Sequence, residues 1–109
     1  MDDLIVFRKT YEYLVWLRPG VQRFARVHRY SLGAETEQSA LRLLRHIIRA
    51  NYQTAKRTDI EAAIVEYEVQ RIYLRLAFEY RCLSERQFAY GSGRLDEIGR
   101  LLRGWARKK

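Results

Sequence analysis

The residue types that most often carry catalysis are sparse in this sequence. His28 and His46 are the two histidines, and they lie far apart with no carboxylate cluster at metal-ligand spacing around them. Cys82 is the single cysteine, so it has no internal disulfide partner, and no pattern marks it as a nucleophile. Gly91 and Gly93 resemble part of a phosphate loop, but the lysine of a Walker motif is missing. We therefore expect no enzymatic activity, no metal and no cofactor.

Arginine, by contrast, is abundant, and its chemistry suits an anionic partner. The 109 residues include 21 Lys+Arg against 13 Asp+Glu, for a formal net charge of +8 at pH 7. Among these cations only Lys9, Lys56, Lys108 and Lys109 are lysine. The planar guanidinium group matches phosphate and carboxylate geometry. Nucleic acid is the commonest such partner of a small basic domain, although a heat-adapted surface would give the same composition.

The basic residues fall into three groups. One follows the spacing i, i+3, i+7 along a helical segment with no acid inside the stripe, and a second repeats that spacing near the C-terminus. The third is a basic connector next to Tyr30. Arginines beside an aromatic ring can contact phosphates and stack on bases, whereas the alternative is a plain solvated face. The candidate nucleic-acid- or partner-binding residues are Arg42, Arg45, Arg49 and Lys56 in the first group, Arg100, Arg103 and Arg107 in the second, and Arg23, Arg26 and Arg29 in the third.

Helical periodicity of the apolar residues runs through nearly the whole chain. It predicts four helices over about 3–24, 34–56, 59–82 and 85–105. Short links between helices of this length favour an up-down-up-down four-helix bundle. The sequence therefore predicts an all-α fold in a single domain covering residues 1–109.

Local signals refine this prediction. Ser84 followed by Gln87 predicts a capping box at the start of the fourth helix, and Thr58 or Asp59 is expected to cap the third. Residues 26–33 are interpreted as a connector. We also expect a kink or an interruption of the first helix near Pro19 and Gly20, and a break or bend at residues 91–93.

The third predicted helix has more apolar surface than one bundle can bury. One stripe contains Ile60, Tyr67 and Leu74, and a second contains Val65 and Ile72. Large rings are also frequent at protein interfaces, and the chain has 8 tyrosines and 2 tryptophans. These observations predict a homo-oligomer, and the alternative is a bundle with wide apolar faces.

Charges on this third helix have a structural interpretation. Glu68 stands at helical spacing from Arg71 and Arg75, and Glu79 follows Arg75 by four residues. Opposite charges at these spacings pair on one helix face. We therefore expect Arg71 and Arg75 to be structural rather than binding residues.

The apolar runs in this sequence are short. None approaches the roughly 20 residues of a membrane-spanning helix, and the sequence does not open with a basic region before an apolar stretch. The expected location is therefore cytoplasmic, without membrane association.

Several short motifs together resemble a known family. They are the connector RVHRYSLG at residues 26–33, the upstream LRP at 17–19, RLA at 75–77, QF at 87–88 and the tail EIGRLLRGW at 97–105. This combination resembles the accessory variability determinant (Avd) of diversity-generating retroelements. It is more distantly similar to the four-helix-bundle proteins encoded in intervening sequences of 23S ribosomal RNA genes.

The resemblance implies a function that composition and spacing do not. It implies a bundle assembled into a homopentamer, with a basic surface that binds RNA or DNA and the reverse transcriptase of the retroelement. In that system the accessory protein supports mutagenic copying of a template-repeat RNA and performs no catalysis. The alternative is a structural interaction module of the intervening-sequence type, which would bind RNA or an acidic protein partner.

Overall fold

Long α-helices make up most of the chain. The computed structural model describes the backbone of residues 2–108 and the side chains of residues 4–108. Within this part no residue lies in a β-strand, so the predicted all-α class is confirmed. The helices are α1 (Asp2–Gln22), α2 (Arg26–His28), α3 (Ala34–Tyr52), α4 (Arg57–Glu79) and α5 (Glu85–Lys108), with a π-helical turn at Arg29–Gly33.

The four long helices form a four-helix bundle. Helices α1 and α4 each pack against both α3 and α5, so α1 lies diagonally opposite α4. The ion pairs between α1 and α5 show that these two helices are antiparallel. Lys9 pairs with Glu97, whereas Glu12, which comes later in α1, pairs with Arg94, which comes earlier in α5. The short links between successive helices produce this antiparallel arrangement. Among the described residues, no helix is long and apolar enough to cross a membrane.

A buried polar chain crosses the centre of the bundle. The hydroxyl of Tyr13 on α1 donates a hydrogen bond of 2.7 Å to Oε1 of Gln70 on α4. The amide of Gln70 in turn donates 2.9 Å to the backbone carbonyl of Thr36 on α3. All three residues are buried, so these bonds compensate polar groups removed from water. They tie three of the four helices together.

The sequence predicts a break or bend at residues 91–93, and helix α5 runs through them without a break. Gly91 is helical and packs against the ring of Trp16 and the side chain of Leu74, where an added Cβ would lie 2.7 Å and 2.9 Å from them. An added Cβ at Gly99, further along the same helix, would come closer still to the Tyr67 side chain. These glycines permit close helix packing instead of ending the helix.

The segment predicted as a connector is also helical, which corrects the sequence interpretation. Helix α2, the π-helical turn and α3 follow one another without a gap from Arg26 to Tyr52. The chain turns before this segment, at Ala25, whose backbone is extended (φ −54°, ψ 147°). Gly33 does not end a link; it is buried beneath Val21 and Phe24, where a Cβ would lie 3.0 Å and 3.2 Å from their side chains.

The predicted interruption of α1 is not observed either. The helix continues through Pro19 and Gly20 to Gln22. Pro19 is exposed and lies in the last turn of the helix, and the absence of its N–H removes only one helical hydrogen bond, the one to the carbonyl four residues before it.

One of the two predicted helix caps is present. The backbone N–H of Gln87 donates 3.1 Å to Ser84 Oγ, and that of Ser84 donates 2.8 Å to Gln87 Oε1, which confirms the capping box. The cap predicted for the third helix is wrong. Helix α4 starts at Arg57 with Lys56 at the N-cap position and no side-chain cap, so Thr58 and Asp59 lie inside its first turn.

Candidate nucleic-acid interface

The basic group of Arg23, Arg26 and Arg29 lies at the end of the bundle where α1 turns into α2. Arg23 donates 3.3 Å to the carbonyl of Pro19, and Arg29 donates 3.4 Å to the carbonyl of Phe24. Within residues 4–108, none of the three forms an ion pair with a carboxylate. Their positive charge is therefore not neutralised by neighbouring acids.

Aromatic rings accompany these arginines. The guanidinium carbon of Arg29 lies 5.8 Å from the ring centroid of Tyr30, which is a cation–π distance. The imidazole of His28 stacks on Tyr80 with the ring centroids 5.4 Å apart. Sequence reasoning missed Tyr80 and the neighbouring Arg81. The predicted topology contains the signal, because an up-down-up-down bundle brings the link after the third helix to the same end as residues 23–33.

The basic stripe on α3 is engaged by acids of α4, which the sequence did not reveal. Arg42 pairs with Glu66 at 3.3 Å, and Arg49 pairs with Asp59 at 3.3 Å. Both carboxylate side chains are only 13% exposed. Arg45 is exposed and has no ion pair within the described residues. Only one of the three arginines is thus uncompensated.

The outer face of α3 is apolar as well as basic. Leu41 and Ile48 are 42% and 38% exposed, and they border a hollow of about 490 Å³ together with Leu44 and the arginines of the stripe. Leu44 and Ile48 therefore lie on the same side of α3 as the basic stripe, because Ala40, Leu43, Ile47 and Ala50 form the buried face of this helix.

The remaining candidates are spread over other surfaces. Lys56 turns back onto the end of α3, where its ammonium group donates 2.8 Å to the carbonyl of Ala50. Arg103 pairs with Glu68 of α4 at 2.7 Å and lies 5.5 Å from the Tyr67 ring centroid. Arg100 and Arg107 are exposed on α5 with no ion pair inside the described part of the chain. The ten predicted residues therefore do not form one continuous site.

The outer face of α4 leaves an apolar stripe in solvent. Val65 is 64% exposed, Ile72 62% and Leu76 36%. Ile72 and Leu76 line a groove of about 470 Å³ between α4 and α5, together with Phe88 of α5. The second apolar stripe predicted for this helix is therefore exposed in a single protomer at Val65 and Ile72.

The predicted structural pairs of α4 flank this groove. Arg71 lies 3.6 Å from Glu68, and Arg75 lies 3.8 Å from Glu79. These contacts confirm that both arginines have acidic partners at helical spacing. The groove therefore carries balanced charge around an apolar centre.

Cys82, His46 and Asn51 are described residues whose potentially reactive or polar side chains have unusual environments. Cys82 follows the end of α4, and partial burial raises the pKa of its thiol, which disfavours the nucleophilic thiolate. No group of three or more His, Cys, Asp and Glu residues able to hold a metal is found in the described residues. Nδ1 of His46 and Oδ1 of Asn51 are buried without a hydrogen-bond partner in this part of the chain.

Comparisons with known proteins agree with this architecture. A family model described as bAvd-like matches residues 4–109. The chain is similar in structure to a protein of unknown function from the S23 ribosomal protein family of Bacteroides thetaiotaomicron, with a TM-score of 0.90 at 16% identity over 98% of this chain and 99% of that chain. At this identity the likeness shows the fold alone. No curated protein matches the sequence.

Proposed function

Because this chain belongs to the bAvd-like family, we propose that it is a non-enzymatic accessory subunit of a diversity-generating retroelement. In this role it binds nucleic acid and the retroelement reverse transcriptase, and it supports mutagenic copying of template-repeat RNA. The family is not a known enzyme class. The uncompensated arginines at the end of the bundle are the observation that carries the nucleic-acid part of this proposal.

Nucleic acid binds at Arg23, Arg26 and Arg29. These three arginines have no acidic partner among the described residues, so a phosphate can bind them without breaking an ion pair. Arg42 and Arg49, by contrast, would first have to break their ion pairs with acids of α4. Each arginine that neutralises a phosphate releases a condensed counterion. Affinity is therefore expected to fall steeply as the salt concentration rises.

Fluorescence anisotropy with a labelled oligonucleotide over a salt series tests this site. Changing Arg23, Arg26 and Arg29 together to Gln should lower affinity and reduce the slope of log K against log salt by roughly 2 to 3. The matched control changes Arg71 and Arg75 to Gln, since both already pair with acids of their own helix. Equal affinity and slope in the triple variant and the wild type would reject this site.

The outer face of α3 is the proposed contact for the reverse transcriptase. Its exposed Leu41 and Ile48 suit a protein surface better than a phosphate backbone, and Arg45 beside them favours an acidic partner surface. The same observation supports the second candidate function, an interaction module that binds an acidic protein. Co-purification with the reverse transcriptase distinguishes the two, and Leu41→Ser with Ile48→Ser should reduce it. Unchanged co-purification of this folded variant would exclude α3 as the contact.

We place the contacts of a homopentamer on α1 and α4. Tyr11 and Val15 are more than half exposed on α1, and Val65 and Ile72 are more than half exposed on α4. Since α1 and α4 lie diagonally opposite, these apolar faces point away from each other, and pairing one with the other between copies generates a ring. The number five rests on the family resemblance.

Sedimentation equilibrium measures this assembly. The wild type is expected at about five times the 13.1 kDa protomer mass, and Ile72→Asp should dissociate it because it places a charge in the contact. Tyr52→Asp is the control, since Tyr52 is 87% exposed at the end of α3, outside both faces. A wild-type monomer or dimer at micromolar concentration would contradict the pentamer.

A further inference from the structure

One exposed helix face at the end of the bundle combines an aromatic ring, an aliphatic side chain and arginine. Tyr30 and Val27 are both 75% exposed, and Arg26 is exposed beside them. Arg26 lies four residues and Val27 three residues before Tyr30 in the continuous helical segment that starts at Arg26, so each is a neighbour of Tyr30 on the helix surface. We call these three residues the Tyr30 face.

The Tyr30 face is held rigidly from beneath. Phe24, which comes just before the helical segment, and Gly33, which comes three residues after Tyr30, are buried, and the His28 ring within the segment stacks on Tyr80 at the end of α4. Arg29 is anchored to the carbonyl of Phe24 at 3.4 Å and lies 5.8 Å from the Tyr30 ring centroid. The segment that carries Tyr30 is therefore already ordered before a ligand binds, which lowers the entropy cost of stacking on the ring.

Phosphate binding alone does not account for this composition. A duplex presents its phosphates to a protein surface while its bases stay stacked inside, so it would contact the arginines and gain nothing from an exposed ring. An unpaired base has a free π-face that can stack on tyrosine. Val27 adds an apolar surface next to the ring, which suits a base and not a phosphate.

We propose that Tyr30 is a stacking platform for an unpaired base of single-stranded nucleic acid, with Arg26 and Arg29 contacting the adjoining phosphates. This inference rests on the proposed nucleic-acid binding and adds the structural class of the ligand. The arginines supply the salt-dependent part of the affinity, and Tyr30 supplies the preference for single strands.

Anisotropy titrations of the full chain with two probes test the proposal. The probes are a fluorescently labelled single-stranded 20-mer of mixed sequence and the blunt duplex of the same sequence. Tyr30→Leu should weaken binding of the single strand about tenfold to a hundredfold, because it removes the ring and keeps an apolar side chain. Duplex affinity should stay unchanged, since the phosphate contacts remain.

Three further variants make the result specific to the ring. Tyr30→Phe keeps the aromatic face and should bind like the wild type. Tyr52→Leu removes another highly exposed tyrosine, from the far end of α3, and should have no effect. Arg26→Gln should weaken both probes and lower the salt slope for the single strand by about 0.7.

The outcomes separate this inference from the proposed function. Equal single-strand binding by Tyr30→Leu and Tyr30→Phe overturns the stacking platform while nucleic-acid binding stands. Equal weakening of both probes by Tyr30→Leu, with helical content retained, overturns it as well. If the wild type binds neither probe at low salt, the proposed nucleic-acid function is itself wrong.

Discussion

At the scale of single residues, Tyr13 couples the stability of the bundle to pH. The side chain is fully buried, and burial raises the pKa of its phenol far above the ordinary value, because the phenolate would lose its hydration. In the unfolded chain the same phenol ionises near pH 10. The neutral form is therefore retained in the native state after the unfolded state has begun to lose its proton.

This difference predicts a loss of stability in alkaline solution. The contribution of Tyr13 is complete below about pH 10 and decreases above it, by about 1.4 kcal/mol per pH unit, because the unfolded state then binds fewer protons. Tyr13→Phe has no such titration, although at pH 7 it should cost about 1 to 3 kcal/mol by leaving Gln70 Oε1 without its donor. Urea unfolding from pH 7 to 11 should show the two proteins converging in stability. Parallel curves would contradict this account.

Arg81 has a backbone conformation that favours glycine. Its φ is 63°, and the surrounding bonds form a Schellman motif, with Cys82 N–H donating 2.7 Å to the Ala77 carbonyl and Arg81 N–H donating 3.0 Å to the Phe78 carbonyl. A Cβ in this left-handed region costs free energy.

Arg81→Gly should therefore raise the free energy of unfolding by about 0.5 to 1 kcal/mol. The matched control is Arg100→Gly, which lies inside α5 and should lower it by about 1 kcal/mol. Chemical denaturation of both variants measures the difference. A loss of stability in Arg81→Gly would show that the arginine side chain outweighs the backbone strain.

At the scale of elements, the glycines of α5 have opposite roles within one helix. An alanine Cβ at position 99 would overlap the Tyr67 ring, whereas one at position 93 would meet nothing within 4 Å. Gly99→Ala should destabilise the protein by about 1 to 3 kcal/mol through overpacking. Gly93→Ala should stabilise it by up to about 1 kcal/mol through helix propensity. Circular dichroism measures the thermal unfolding midpoints of the two variants. Midpoints that both rise or both fall relative to the wild type would contradict this interpretation.

The contact between α3 and α4 determines which charge reversals the fold tolerates. Arg49→Glu would place a second negative charge beside the largely buried carboxylate of Asp59, so it should lower the free energy of unfolding by about 1 kcal/mol. Arg42→Glu, which would face Glu66, should lower it by a similar amount. Arg45→Glu should change stability by less than about 0.5 kcal/mol, since Arg45 is exposed without an acidic partner among the described residues. Urea midpoints measure this. Equal midpoints for all three variants would show that the pairs contribute nothing.

At the scale of the whole molecule, the exposed apolar faces of α1 and α4 link stability to assembly. If copies associate through them, only the folded protomer is bound, and the thermal midpoint must rise with protein concentration. Ile72→Asp should remove that dependence while the bundle itself still unfolds cooperatively, because Ile72 lies outside the core. Thermal scans over a hundredfold range of concentration measure the effect. A concentration-independent wild-type midpoint would indicate that the faces remain exposed.

The sequence alone predicted what depends on neighbours in the chain. Helical periodicity and the Ser84–Gln87 pattern are local, since helix bonds and capping bonds join residues three or four apart. The paired charges of Arg71 and Arg75 follow for the same reason. Glycine is interpreted locally at Gly33, as part of a connector, and at residues 91–93, as a break or bend. Both positions are helical, because Gly33 and Gly91 pack against side chains that lie far outside the local helical spacing.

The tertiary structure decided everything that depends on how the helices are rotated and aligned against one another. Periodicity shows that Arg42, Arg45 and Arg49 share a side. Only the alignment of α3 on α4 brings Glu66 to Arg42 and Asp59 to Arg49, while Arg45 has no acidic partner among the described residues. The same packing places the link after α4 beside the start of α2, where His28 meets Tyr80. Such contacts join residues that are far apart in the sequence. Which residues meet depends on how whole helices pack against one another, and the local spacing of residues does not encode that packing.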